Sequence, residues 1–201
     1  HPFHHSSSTQ HAAVMGDFVQ QKMNTPVPLT LYFLPMRAQA ESIRMILHYG
    51  EIEFQDVIIS MMDWDTVKKT SKIAPFGQLP SLQLPSGEII AQTGAIVRFA
   101  AKLARIYPED PIAAARADMI YEFAQDLSMI NPILNFWPII TDEWSKAYTS
   151  YFEQLPASLA IVQNLLGHET FFGGSTPHHG DFEMFHVLDS CVLVNATTLD
   201  N

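Results

Sequence analysis

The sequence predicts an α/β domain built on a mixed sheet, followed by an all-α domain. Three observations predict it. An apolar run, a helix-spaced segment and a second strand-like run follow one another from residue 29, an order that demands a parallel crossover. Two short apolar runs flank Pro85-Ser86-Gly87 and read as a hairpin, which adds an antiparallel edge. Beyond "PEDP" (108–111) the chain is helical in character throughout.

Each element has its own warrant. "LTLYFL" (29–34) is apolar and aromatic and is closed by Pro35, as expected of a buried strand. "AQAESIRMILHYG" (38–50) places apolar residues at 40, 43, 46 and 47, which is helical spacing, and Gly50 supplies the stop. "EFQDVII" (53–59) reads as the second strand. A polar stretch with Lys68, Lys69 and Lys72 reads as part helix and part loop. "SLQL" and "EIIAQ" form the hairpin, and "TGAIVRFAAKLARIY" (93–107) is helical again. Later helices are expected over 112–130, 141–166 and 182–195. The change of character near residue 108 predicts a domain boundary there, giving domains 29–107 and 108–201. Residues 1–28 read as a tag or loose extension. Four of the nine histidines (His1, His4, His5 and His11) sit there with no cysteine or carboxylate pattern to make a metal site, and no secretory signal pattern is visible.

Composition narrows the function classes. Hydrophobic residues make up 47% and charged residues 16%, enough apolar matter for a packed core. The net charge of −10, from 11 basic and 21 acidic residues, opposes nucleic acid and anionic membrane surfaces as partners. No apolar stretch approaches the roughly 18 residues of a membrane span. A single cysteine, Cys191, excludes an internal disulfide and reads as a buried thiol in "SCVLV".

The stretch "APFGQLPSLQL" (74–84) needs a reason for its proline. A proline at the mouth of a strand removes a ladder donor. A cis Leu79-Pro80 bond would turn the backbone groups of Leu79 outward, where they could pair with an extended peptide. Gln92 and Thr93 come at a strand end and a helix start, and the first N–H groups of that helix form an anion cradle. Together these suit a small peptide ending in a carboxylate. The plainer alternative is an ordinary turn at Pro80 and an ordinary cap at Thr93.

The segments "LTLYFLPMRAQAESIRMIL", "FGQLPSLQL", "AQTGAIVRFAAKL" and "FFGGSTPHHGDFEMFHVLD" resemble, in that order and spacing, a cytosolic glutathione S-transferase. Trp64 and "YEFAQDL" give a sigma-, pi- and mu-like flavour. The resemblance implies a thioredoxin-like N-terminal domain (βαβ-α-ββα), an all-helical C-terminal domain, a cytoplasmic homodimer, and glutathione as co-substrate without a prosthetic group. It implies a hydrophobic electrophile as the second partner. Leu79 then resembles the backbone clamp on the cysteinyl unit, with Pro80 cis and Gln78 beside it. Gln92 and Thr93 resemble the γ-glutamyl binders, and Trp64 with a lysine the binders of the glycine carboxylate. Of Lys68 and Lys72, Lys72 is preferred. Asp126 resembles the acidic residue that reaches the ligand of a partner subunit. Met129, Phe136, Trp137 and Tyr121 are candidates for the electrophile pocket.

Three features depart from the family pattern. The register that fits the sigma-, pi- and mu-like classes puts Phe33 where their tyrosine stands, with Tyr32 one residue early. Strand side chains alternate faces, so the slip matters. Tyr32 is the first candidate to activate the thiol and Arg37 its helper or substitute; a site without an activating side chain is the third possibility. A guanidinium would stabilise a thiolate by charge without donating a proton in a cycle. His178 stands where the family has a serine or threonine before Asp181. His178 and His179 are expected at the surface, and His186 as a satisfied core residue. Finally, the helical domain is expected to be truncated at its C-terminal end. A disulfide oxidoreductase on this fold would need a cysteine at the first helix start, and residues 1–190 contain none.

Overall fold

The computed structural model describes residues 28–128, 130–135 and 141–199. The N-terminal extension, Met129, Phe136 and Trp137 lie outside them. The described chain forms two compact units: residues 28–35 with 53–92, and residues 36–52 with 93–199.

The first unit is a four-stranded sheet in the order β2-β1-β3-β4, with β1 Leu29–Phe33, β2 Phe54–Ile58, β3 Ser81–Gln83 and β4 Ile89–Ala91. β1 pairs parallel to β2 and antiparallel to β3, and β3 pairs antiparallel to β4. The mixed sheet is the expected one. Leu29, Leu31 and Phe33 are buried, and Thr30 on the alternate face is buried as well. This two-sided burial is why β1 reads as a continuous apolar run rather than an alternating one. The hairpin turns at Gly87, whose φ of +86° suits a residue without a side chain. A short helix, α2 (Trp64–Thr70), precedes the loop into β3.

The second unit is helical. A 3-10 turn (Ala38–Ala40) leads into α1 (Glu41–Tyr49), where the sequence pattern anticipates one regular helix from residue 38. Ile43, Ile46 and Leu47 of α1 are buried, as are Ile96, Val97, Ala100 and Ala101 of α3 (Thr93–Leu103). A Cβ on Gly50 would stand 2.7 Å from that of Ala104, so the ends of these helices meet where only glycine fits. The remaining helices are α4 (Pro111–Leu127), α5 (Ile130–Asn135), α6 (Asp142–Leu166) and α7 (His179–Val194). Asp110 starts α4 by accepting from Ala113 N at 2.8 Å, with Pro111 in the first turn. Thr141 caps α6 by accepting from Trp144 N. Ile120, Ala124 and Leu127 of α4, Ile130 and Ile133 of α5, Leu155 and Val162 of α6, and Met184, Val187 and Cys191 of α7 make the core. Cys191 is buried, as expected.

Helix α7 begins three residues earlier than its apolar pattern suggests, because of its cap. The His178 Nδ1 accepts from Gly180 N at 3.1 Å, while Asp181 Oδ2 accepts from His178 N and Asp181 Oδ1 from Phe172 N, both at 2.9 Å. Gly180 faces α4 so closely that a Cβ would lie 2.9 Å from the Ala117 carbonyl oxygen. This overturns the surface placement of His178 and His179, which are 5% and 0% exposed. One serves as the cap. The other lies against Tyr107, ring centroids 5.2 Å apart, with Nε2 2.9 Å from Asp118 Oδ1. His186 is a core residue, but neither ring nitrogen closes a hydrogen bond of ordinary geometry among the described residues; the Ala38 backbone is its polar neighbour.

Candidate functional site

The sheet unit carries most of the residues singled out above. Ser81 of β3 sits opposite Ala91 of β4 and, on its other side, opposite Tyr32 of β1. The chain therefore enters β3 through Leu79-Pro80 beside the point where it leaves β4 through Gln92. The Leu79-Pro80 bond is cis, as anticipated. Leu79 lies outside the ladder, whose last pairs are those of Ser81. Pro80 is buried, Leu79 half-buried, and the Gln78 side chain exposed. Gln92 Nε2 donates to Gln78 Oε1 at 3.3 Å and ties the two ends together. Gln92 has a φ of +75°. A non-glycine residue in this region is strained by roughly 1 kcal/mol, and such strain is characteristic of ligand-contacting positions. Nothing in the sequence pattern marks it.

The same loop is approached by a lysine. Gly77 has a φ of +63°, and a Cβ placed on it would stand 3.1 Å from Cε of Lys68. The stem of Lys68 thus lies against the residue that precedes Gln78, while both Lys68 and Lys72 are exposed to solvent. Trp64, half-buried, opens the helix that carries Lys68. In register both lysines fit the resemblance poorly, with Lys72 the preferred one; the packing of Lys68 against Gly77 is a helix-to-loop contact that spacing cannot convey.

Tyr32 and Phe33 take opposite faces of β1. Phe33 is buried with Leu29 and Leu31, and Tyr32 shares the face of Thr30. The Tyr32 hydroxyl donates to Gln83 Oε1 at 2.8 Å. It therefore already has an acceptor on a neighbouring strand.

In the helical unit, Thr93 follows Gln92 in the chain as the first residue of α3. Arg37 stands just before the 3-10 turn with its guanidinium held by two carboxylates, Asp189 Oδ2 at 2.7 Å and Glu41 Oε1 at 3.3 Å. Glu41 is held in turn by Arg44 Nη1 at 3.1 Å, which also donates to the Met36 carbonyl. The segment before α1 is thereby fixed by a chain of charged contacts within its own unit. Asp126 lies on the exposed face of α4, opposite the buried stripe of Ala117, Ile120, Tyr121, Ala124 and Leu127. Tyr121 is itself 2% exposed. No group of three or more histidine, cysteine, aspartate or glutamate side chains among the described residues could hold a metal ion.

Comparisons with known proteins point the same way. Residues 38–103 match the glutathione S-transferase N-terminal domain family. The hematopoietic prostaglandin D synthase of Gallus gallus is 29% identical over 154 residues, covering 76% of this chain and 73% of that protein. Glutathione S-transferase Mu 2 of Mus musculus is 24% identical over 181 residues, covering 87% and 81%. The Pi-class glutathione S-transferase of Onchocerca volvulus superposes with a TM-score of 0.74 at 26% identity, over 87% of this chain and 82% of that one. A monomeric glutathione S-transferase of Necator americanus shares the fold, with a TM-score of 0.75. A mixed four-stranded sheet of thioredoxin type, a helical remainder and these relatives together support a member of the glutathione S-transferase family.

Proposed function

We propose that the protein is a glutathione transferase that adds the glutathione thiolate to small hydrophobic electrophiles. The observation that carries the reading is the end of the sheet: Leu79 outside the ladder, beside a strained Gln92 tied to Gln78. In this reading Leu79 pairs with the cysteinyl backbone, and Gln78, Gln92 and Thr93 bind the γ-glutamyl end. Trp64 and a lysine take the glycine carboxylate; the contact of Lys68 with Gly77 supports Lys68 for that role beside Lys72. Tyr32 or Arg37 activates the thiol. Asp126 serves a neighbouring copy in a homodimer, an assignment its exposure supports. A cytoplasmic location, and a division of the chain into domains 29–107 and 108–201, belong to the same proposal. No helix among the described residues is long and apolar enough to cross a membrane. The name of the chicken relative, a prostaglandin D synthase, widens the reaction class to glutathione-dependent isomerisation by the same thiolate.

A second reading has its own support. Phe33 fills the register position of the tyrosine, and the Tyr32 hydroxyl is bound to Gln83. Both favour a member that binds glutathione or carries ligands without turning them over.

One titration separates the two. Ultraviolet absorbance of the thiolate, followed against pH with glutathione bound, is expected to rise well below the ~8.5 of a free thiol. A shift of about two pH units corresponds to roughly 2.7 kcal/mol of thiolate stabilisation. Bound glutathione with an unshifted thiol selects the carrier. Absence of binding overturns both.

A further inference from the structure

Helix α7 carries a carboxyl where apolar side chains do the packing. Glu183 is 1% exposed and sits beside Met184 of the helical core. The Ser42 hydroxyl of α1, itself fully buried, and the Gln125 amide of α4 face its carboxyl. Among the described residues, Ser42 Oγ, Gln125 Nε2 and Glu183 Oε2 close no hydrogen bond of ordinary geometry. Of the basic residues on the surrounding helices, His48, Lys102 and Arg116 are exposed, and the buried or half-buried ones are engaged elsewhere. Arg98 of α3 binds Asp118 and Glu122, Arg37 binds Asp189 and Glu41, and Arg44 of α1 binds Glu41 and the Met36 carbonyl. His179 and His186 on α7 are kept neutral by burial. Asp181 accepts from Phe172 N and His178 N, and α5 (INPILN) has no titratable residue. Tyr121 of α4 feels the charge of Glu183, and burial pushes its phenol up, so it stays protonated.

We propose that Glu183, Ser42 and Gln125 form a proton-sensitive latch that holds α1, α4 and α7 together while the carboxyl is neutral and loosens them when it ionises. A neutral acid both donates and accepts, so it matches a hydroxyl and an amide. A carboxylate there has two neutral dipoles and no cation, an arrangement that disfavours the charged form. Burial pushes the carboxyl from 4.5 up to about 7, with Ser42 and Gln125 pulling it part of the way back. The sign follows. Between those values the folded chain holds a proton that the unfolded chain has released. The stabilisation is complete below about pH 4.5 and is lost as pH rises through about 7. Loosening reaches α1, whose first turn bears Glu41, a partner of Arg37. The latch goes beyond the glutathione reading and does not depend on it.

The test is chemical unfolding of the wild-type protein and Glu183→Gln at steps from about pH 4.5 to about pH 8. The isosteric amide keeps a donor and an acceptor without a charge to gain. The ratio of the two folding constants, variant over wild type, is expected to climb on the order of a hundredfold up to about pH 7.5 and then level off. A ratio constant across the range overturns the latch. Should the variant fail to fold, infrared spectra of the wild-type protein decide. A protonated-carboxyl band persisting at about pH 6 and gone by about pH 8 supports it; a band already gone by about pH 5.5 overturns it.

Discussion

At the scale of single residues, two side chains at the end of the sheet decide what the site can do. The Tyr32 hydroxyl can assist a thiol only by leaving Gln83, or by sharing that bond. If Tyr32 is the thiol's donor, Tyr32→Phe removes most turnover and spares glutathione affinity, while Gln83→Met leaves turnover intact by freeing the hydroxyl. If the bond is structural, each variant costs about 1 kcal/mol of stability and turnover does not move. Steady-state kinetics with calorimetry on both proteins distinguish the cases. Gln92 poses the complementary question. Its φ of +75° is strain that glycine would not feel. Gln92→Gly is expected to keep or raise the melting temperature while weakening glutathione binding, since the bond to Gln78 and the amide itself are lost. Unchanged affinity in calorimetry would remove Gln92 from the binding set.

At the scale of elements, the cap of α7 fixes how closely that helix meets α4. Asp181 accepts from two backbone N–H groups, and Gly180 leaves no room for a side chain against Ala117. Asp181→Ala is expected to lower stability by about 1–2 kcal/mol through the lost cap. Gly180→Ala is expected to cost about 1–3 kcal/mol through overpacking against backbone. Urea unfolding measures both, and a neutral Gly180→Ala would mean that α7 shifts freely on α4. These elements also mark how far the sequence could be read. The strands, the hairpin at Pro85-Ser86-Gly87 and the start of α4 at Asp110-Pro111 were legible because their signals are local. The first turn of α7 was not, because histidine lies outside the usual capping residues and its role depends on burial. Arg37 illustrates the same limit at longer range. Its partner Asp189 is 152 residues away, a pairing that no spacing rule conveys. The cis bond at Leu79-Pro80 could be anticipated, whereas the grip of Gln92 on Gln78 and the lysine beside Gly77 arise only once the loop is folded.

At the scale of the whole molecule, the titrating groups of α7 pull stability in opposite directions. Burial holds His178 below the ordinary histidine range, against the pull of Asp181. Burial likewise pushes His179 and His186 down to about 4, with Asp118 acting against it at the first and Glu41 and Asp189 at the second. For each, the unfolded chain takes a proton first as the solution is acidified. Their contribution is therefore complete above about pH 6.5 and is lost as pH falls toward about 4. Glu183 runs the other way in much of the same window, so the wild-type profile understates both effects. His179→Phe tests the histidine side alone. A phenyl ring preserves the packing on Tyr107, and Asp118 keeps Arg98 at 2.8 Å and the Tyr107 hydroxyl at 3.2 Å. Unfolding free energies measured from about pH 6.5 to about pH 4.5 should then fall less steeply than in the wild-type protein, by about one proton in the slope. An unchanged slope would show that His179 already carries its proton in the folded chain, paired with Asp118 as an ion pair. Of the α7 histidines, His178 and His186 would then be the ones that contribute to the loss of stability in acid.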